Sequence, residues 1–388
     1  MQTSDFDVAI VGGGPVGAAV AIALDRSGLS VAVLEARPDG HTGTDARTLA
    51  MSHGSRLILE RLDVWRRLAS VTPITTIHVS QRAGFGRTTL DAREAHAPAL
   101  GYVVRYSELQ RAFSERLADT AARLMAGAEV TALSATDDAV ALSVDNRGQS
   151  LSLSARLLLV ADGGNGLGAR AGADIEVRDY EQHAVVGLLR CSRPHGSLAY
   201  ERFTPDGPVA LLPFEDRYAL VWTATPSAAD RLVSLDPATF VAELQAHFGD
   251  RAGKFESVEA RARFPLALRY ARDPVLQRTV MLGNAAQALH PIAGQGFNLG
   301  LRDAWELGDL LLRGAGEDPG STQMLSRYRS IRRRDRAGGI ALTHSLVKIF
   351  SNDVGPVRFL RGTALAALEL FPPARRAFMQ RMIFGSPE

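Results

Sequence analysis

The chain has 388 residues, 46% hydrophobic and 22% charged, a globular composition that excludes fibrous, disulfide-stapled and disordered classes. Its 44 basic side chains nearly balance 42 acidic ones, so the whole chain offers no electrostatic case for nucleic acid. The single cysteine, Cys191, leaves neither an intramolecular disulfide nor a cysteine metal cage.

The opening MQTSDFDVAI has no basic region ahead of a long apolar stretch, so no secretory signal is expected. No run approaches the roughly 18 apolar residues that a membrane span needs. A cytoplasmic setting is expected. The first strand reads as Phe6 to Val11, followed by a helix from Pro15 to Ser27 and a buried strand from Ser30 to Leu34 that ends at Glu35. An apolar stripe of Leu57, Ile58, Leu62, Trp65 and Leu68 predicts a helix from Ser52 to Leu68. Ser107 with Gln110 has the capping-box pattern for another helix, whose buried face is Leu109, Phe113, Leu117 and Leu124. Alternation from Glu129 to Val160 predicts strands, turning at Asp145-Asn146-Arg147-Gly148. Val185 to Thr225 is also strand-like, broken at Thr204-Pro205-Asp206-Gly207. Thr279 to Leu282 is a short buried strand that feeds a glycine-rich loop and a helix through Leu312. From Thr322 onward the pattern is helical, with breaks at Gly355-Pro356 and Pro372-Pro373. This tail holds twelve Arg or Lys against four Asp or Glu, a basic face or simply a solvated helix surface.

Gly12-Gly13-Gly14-Pro15-Val16-Gly17 places G-x-G-x-x-G directly between a strand and a helix, the context a dinucleotide fingerprint requires. Gly12 permits the tight turn, Gly14 the approach of a pyrophosphate, and Gly17 the close packing of helix on strand. The helix N-terminus that begins at Pro15 and Val16 offers, from Val16 on, free N–H groups and a positive dipole end to phosphates. Glu35 ends the second strand, where an acid accepts hydrogen bonds from ribose hydroxyls and repels a 2′-phosphate. Gly166-Leu167-Gly168-Ala169-Arg170-Ala171 mimics the fingerprint but lacks an acid at the right distance, so a nicotinamide donor is expected to dock transiently.

Three further segments narrow the nucleotide: Asp45-Ala46-Arg47 with Ala50-Met51-Ser52, then Val160-Ala161-Asp162-Gly163, then GNAAQALHPIAGQGFNLG from Gly283 to Gly300. In this order the chain resembles the group A FAD-dependent aromatic monooxygenases, which share the para-hydroxybenzoate hydroxylase fold. RFTPDGPVALLPF (Arg202 to Phe214) and the arginine-rich tail make it most similar to the UbiH-like branch of ubiquinone biosynthesis. Most of the superfamily has Asp and His where this chain has Asn284 and Gln287. The resemblance implies an α/β (α+β) architecture: a discontinuous Rossmann-like FAD-binding domain (1–70, 100–180 and 275–320), a β-sheet substrate domain (71–99 and 181–274) and a C-terminal helical segment (321–388). It implies that Gly12, Gly14, Pro15, Val16, Gly17, Glu35 and Ala36, with Val130, hold the ADP half of FAD. Arg47 would lie near the flavin, Arg105 near the pyrophosphate or ribityl chain, and Asp162 and Asn284 in FAD contacts. Pro291, Gly294, Gln295, Gly296, Phe297 and Asn298 would set backbone N–H groups against the pyrimidine edge, where a helix N-terminus favours the reduced, anionic flavin.

The implied reaction is hydroxylation of a polyprenyl-methoxyphenol ring by O₂ through a flavin C4a-hydroperoxide, with NAD(P)H as reductant. His290 is the one histidine placed to relay a proton. Plainer readings stand beside these: Arg47 and Arg105 as surface ion pairs, Asp162 as a turn cap, Asn298 as a helix-terminal residue, and His290 satisfied by local backbone. Thr363 to Phe371, flanked by Arg358, Arg361, Arg375 and Arg376, reads as an apolar helix that lies peripherally at the inner membrane, meets a partner in a ubiquinone-biosynthesis complex, or packs on the FAD domain. Two other functions remain open: a flavin hydroxylase of a soluble phenol or polyketide, and a non-catalytic flavoprotein scaffold.

Overall fold

The computed structural model describes residues 4–38, 47–82, 84–350 and 355–385. Asp45 and Ala46 of the first of the three segments above lie outside the described residues.

A five-stranded parallel core forms around Phe6–Val11, whose last four residues are all buried. This strand pairs in parallel with Val31–Glu35 on one side and Gln149–Val160 on the other. Arg123–Ala126 and Thr279–Met281 extend the sheet at its two ends. Strands buried on both faces read as unbroken apolar runs rather than alternation, as AIV and LLLV do here. The helix Pro15–Ala23 packs behind the sheet against Gln295–Arg313; its buried residues are Gly, Ala, Val and Ile that let backbones come close. The antiparallel hairpins of Ala128–Ala135, Val140–Asn146 and Gln149–Val160 continue the sheet through the expected Asp145–Gly148 turn, where Gly148 N–H donates to Asp145 Oδ1 at 2.7 Å.

A second eight-stranded sheet runs Gln287–Ala288, Phe255–Ala271, Ile175–Cys191, Arg217–Ala224, Gly207–Phe214, Leu198–Thr204, Thr76–Gln81 and Arg87–Asp91. The 180/181 boundary drawn from sequence falls inside one continuous strand, Ile175–Cys191. Period-two alternation divides this sheet's side chains cleanly. Tyr200, Val209, Leu211, Leu220 and Trp222 pack under the helices Pro226–Ser234 and Pro237–Phe248. Ala199, Glu201, Phe203, Ala210, Leu212 and Val221 face the other way, toward the parallel domain and the tail.

The tail is helical as expected, in three pieces: Thr322–Phe350, Gly355–Leu370 and Pro372–Phe384. It does not pack on the FAD domain alone. The first helix lies on Gln295–Arg313, the second on Arg87–Asp91, and the third on His53–Arg61. Gly86 and Gly362 together let the second helix seat: a Cβ at Gly86 would stand 2.1 Å from the Gly362 carbonyl oxygen, and one at Gly362 2.6 Å from that of Phe85. Three helix boundaries differ from the sequence reading, the first being that of the helix from Pro15, which ends at Ala23 rather than Ser27. The helix expected from Ser107 begins at Tyr106 with Arg105 as N-cap, so the Ser107/Gln110 capping box does not form. Leu124 is not on its buried face but half-exposed on the strand Arg123–Ala126. The helix expected to Leu68 stops at Arg61 and resumes as a short 3₁₀ turn at Trp65–Arg67.

Candidate active site

At the nucleotide end the geometry is set by backbone. Gly12 has φ +101°, and a Cβ there would lie 2.4 Å from the Ala161 carbonyl oxygen. A Cβ at Gly17 would lie 2.0 Å from the Gly12 carbonyl oxygen, so helix and turn touch directly. Gly14 differs: a Cβ there would meet nothing within 4 Å, and it caps Pro15–Ala23 with no side-chain hydrogen bond. The first N–H groups of this helix therefore have no N-cap side chain on them, as an anion site requires. Glu35 is buried, its Oε2 accepting from Gly13 N–H at 2.9 Å and its Oε1 from Arg37 N–H and Nε at 3.0 and 2.9 Å. It ties the glycine turn to the second strand. Ala36 follows it, exposed, and Val130 is buried in the core beneath the antiparallel extension.

The second glycine loop sits against the first. A Cβ at Gly300 would come 2.8 Å from Gly283 Cα, and one at Gly283 3.0 Å from Val16. Pro291 leads into a 3₁₀ turn, Gly294 (φ +60°) caps Gln295–Arg313 without a side-chain hydrogen bond, and Gly296 opens onto free space. Gly296 and Phe297 therefore present the N–H groups of a second helix start, just after Gln295. Asn298 is one residue too deep to share that role. Its buried side chain donates to Gly294 O at 2.6 Å and accepts from Ser52 N–H at 2.8 Å and Ser55 Oγ at 2.7 Å. It fastens the loop to Thr48–Ser52 and the start of the following helix.

The other predicted polar residues divide similarly. Asp162 caps its own turn, accepting from Gly164 N–H at 2.9 Å and Leu167 N–H at 3.1 Å. Asn284 is exposed. Arg47 stacks over Tyr106 and Phe264 at 5.4 and 5.0 Å. Arg105 stacks over Phe214 at 4.8 Å and pairs with Glu215 at 3.3 Å, bridging the two domains.

His290 is buried beneath this loop. Its Nδ1 accepts from Ile292 N–H at 3.1 Å, its ring meets Tyr180 edge-on at 5.6 Å, and Nε2 has no partner among the described residues. Burial holds its pKa down at about 4, so the ring is neutral with its proton on the unpartnered Nε2.

Sequence reading missed the support under the loop. Gln287 is fully buried, donating to Asp303 Oδ2 at 2.6 Å and accepting from Arg336 Nε at 2.8 Å. Asp303 also accepts from Gly283 N–H at 3.2 Å and from Arg332 Nε at 2.9 Å, and Arg332 pairs with Asp335 at 2.9 Å. Burial opposes the charge on Arg332, but Asp303, with Tyr328 and Asp335, outweighs it and its pKa stays raised. The tail's arginines thus hold the loop from below.

Between loop, second sheet and tail lies a cavity of about 340 Å³. Its wall begins at Ala50, Pro291 and Gly294, crosses the sheet face at Ala199, Glu201 and Ala210, and ends on Leu365, Phe378 and Met382 of the tail. Apart from Thr88, Glu201 and Thr223 on the sheet and a few polar groups near the loop, it is lined by hydrocarbon, the usual constitution of a site for an organic ligand.

Two uncapped helix starts side by side, an acid ending the second strand and an apolar chamber against the second loop define a flavoprotein hydroxylase architecture. A family described as FAD binding domain matches residues 5–340. The chain is 36% identical to the ubiquinone hydroxylase UbiL of Rhodospirillum rubrum, covering 96% of this chain and 88% of that protein. It is 34% identical to the 3-demethoxyubiquinol 3-hydroxylase of Escherichia coli, covering 95% and 96%. Among solved structures, p-nitrophenol 4-monooxygenase PnpA from Pseudomonas putida superposes with a TM-score of 0.77 over the full length of both chains at 16% identity, a likeness of fold. The chain belongs to the FAD-dependent aromatic hydroxylases, in the group that holds the ubiquinone hydroxylases. It is an FAD enzyme of a class reduced by NAD(P)H.

Proposed function

We propose that the protein hydroxylates the aromatic ring of a polyprenyl-methoxyphenol on the route to ubiquinone. The observation that carries this reading is the long apolar wall, which runs from the second glycine loop past the sheet to the tail helices. A ring seated at the loop leaves its prenyl chain to follow Phe350, Leu365 and Met382, where burial of each CH₂ is worth about 0.8 kcal/mol. A small soluble phenol would leave that half of the chamber unused.

Bound FAD, once reduced, supplies the oxygen-transfer chemistry. The protein supplies the rest. The N–H groups at Val16 and Gly17 receive the pyrophosphate, with Pro15 setting the helix start, and Glu35 the ribose hydroxyls, once Gly13 and Arg37 share it. Gly296 and Phe297 present N–H groups to the pyrimidine edge. The wall fixes the ring and keeps water out.

The tail supports access from a lipid surface. Among the described residues no helix is long and apolar enough to cross a membrane. Yet Phe359, Leu360, Leu370 and Phe371 are all exposed, Leu370 by 82%. Of the arginines flanking them, Arg361 and Arg375 are buried structural groups. Arg361 donates to Ile349 O and Phe350 O, and Arg375 pairs with Glu94. Arg376 remains exposed beside the apolar patch. Such a surface suits an anionic bilayer or a partner of the biosynthetic assembly.

Complementation of strains blocked at each ring hydroxylation, with the accumulated intermediates identified by mass, tests substrate and ring position together. Rescue of one block, with loss of its methoxyphenol intermediate, is the expected result. Failure to rescue any block, with turnover of small hydroxybenzoates instead, would replace this reading with a soluble substrate.

A further inference from the structure

The sheet face that walls the chamber is built of Ile77, Val79, Ala199, Phe203, Pro208, Ala210, Leu212 and Val221, with one ionisable side chain at its centre. Glu201 lies between Ala199 and Phe203 along its strand. Across the sheet it stands opposite Ala210 on one side and Val79 on the other. On the Ala210 side its cross-strand neighbour is thus only a methyl group, which leaves room above the carboxyl. No hydrogen bond or ion pair to that carboxyl occurs among the described residues.

A carboxyl in such a place is a cost that packing does not explain. Buried charges are ordinarily paired, and an unpaired one is replaced to advantage by a hydrocarbon of similar size. The other titratable groups on the chamber wall do not compensate it. Tyr200 points to the opposite face and gives its hydroxyl to Arg251 O at 3.1 Å. His290 is uncharged, as above. Of the wall's hydroxyls, Thr88 donates to Glu369 at 3.0 Å, whereas Thr223 Oγ1 is buried without a partner. Among the described residues no Lys or Arg lines the chamber.

We propose that Glu201 is the group that receives the substrate's phenolic hydroxyl, accepting its hydrogen bond and then its proton. This rests on the phenol-hydroxylase reading above and deepens it. The O–H bond of the phenol breaks, the proton forms a new O–H on the Glu201 carboxylate, and the electron pair stays on the phenolate oxygen. Delocalised into the ring, that pair enriches the ortho and para carbons for attack on an electrophilic oxygen. The proton returns to the product oxygen before release, so the cycle is neutral in protons at Glu201. Burial raises the carboxyl to about 7, a value that allows both states at working pH, as a general base needs.

The test uses FAD-loaded wild type, E201Q and E201L with a short-chain 2-prenylphenol and its O-methyl ether. Dissociation constants are read from flavin fluorescence between about pH 5.5 and about pH 8.5. In the wild type the preference for phenol over ether should rise about tenfold as pH increases through 7, because a carboxylate accepts the hydroxyl far better than a neutral acid. In E201Q and E201L the preference should be small and flat. E201L should also melt no lower than the wild type, which a structural role for the carboxyl would not allow. A flat preference in the wild type, or one retained by both variants, overturns the assignment of Glu201. If the wild type still hydroxylates the phenol in that case, the hydroxylase reading survives alone. If it neither binds nor turns over either compound, the prenylphenol reading falls and takes Glu201 with it.

Discussion

The two ends of the site are built from different material. The nucleotide end is made of backbone: Gly12, Gly14, Gly17, Gly294 and Gly296 matter for the side chains they lack. The chamber end is made of side chains from strands and helices that are far apart in the chain, such as Val79, Glu201, His290 and Leu365. Backbone devices leave a fixed local pattern in sequence, whereas a wall assembled from distant strands leaves none. The same difference predicts how each end fails.

The largest effect belongs to the backbone end. Gly17→Val forces side-chain atoms into the Gly12 carbonyl, where even a Cβ stands 2.0 Å away. Neither partner is a flexible side chain, so the turn itself must move. The expected outcome is a protein purified colourless, with FAD affinity reduced on the order of 100-fold or more by loss of the phosphate cradle. Gly14→Ala, at a position open to 4 Å, should fold normally and lose FAD affinity alone. Flavin absorbance and calorimetric melting of the two variants separate packing from cradle.

Next comes the buried network below the second loop. Arg332→Met leaves Asp303 and Asp335 without their shared cation at a site that is nearly solvent-free. Breaking one side of such a pair costs about 3–5 kcal/mol, read as a fall in denaturation midpoint. FAD affinity should weaken with it, because Asp303 also holds Gly283 and Gln287. This network explains why an amide at position 287 is sufficient. Gln287 accepts from Arg336 and donates to Asp303, so one neutral side chain closes the circuit between two charged ones.

The chamber end fails through pH, and its two titratable groups act in opposite directions. His290 has its pKa lowered to about 4 from an ordinary 6.5. Between those values the unfolded chain binds the proton and the native one does not, so stability falls as pH drops from 6.5 toward 4. Glu201 is raised to about 7 from 4.5. Between those values the native state holds the extra proton, so stability falls as pH climbs from 4.5 toward 7. Each span corresponds to an upper bound of about 3 kcal/mol, and the two slopes nearly cancel in the wild type. His290→Asn should therefore expose the Glu201 slope, giving stability that declines as pH rises from 4.5 to 7. E201L should expose the His290 slope, declining toward acid. Chemical denaturation at a series of pH values measures both. Equal, flat profiles in the two variants would show that neither group is as buried as its position indicates.

That contrast also marks what was legible. The parallel sheet, the glycine turn, Glu35 and the breaks in the tail all follow local rules of period, capping and turn chemistry, and each is where the sequence puts it. Asn298 and Asp162 were visible as polar residues at the right loops, but the partners that hold their side chains, Ser52 and Ser55 for one and Gly164 and Leu167 for the other, show only in the structure. The segment singled out from Arg202 began one residue after Glu201. Nothing local distinguishes that glutamate from the solvent-facing ones of any strand; only the second sheet's covering by loop and tail puts it indoors.

Arg105 is the smallest and sharpest case, because it stands where the two ends meet. Its guanidinium lies over Phe214 and pairs with Glu215 across the domain junction, with both side chains about one-third exposed. A pair so placed is screened and worth about 0–1 kcal/mol. If the bridge is its whole role, Arg105→Gln and Glu215→Gln should each lower stability by that amount. The double variant should then lose no more than either one, since both remove the same contact. FAD affinity should stay within about twofold of wild type in all three. A phosphate-binding Arg105 gives the opposite signature: loss of FAD in Arg105→Gln alone, and tighter FAD in Glu215→Gln, where the competing carboxylate is gone. Fluorescence titration of the apoproteins with FAD reads the sign directly and assigns Arg105 to one end of the site or the other.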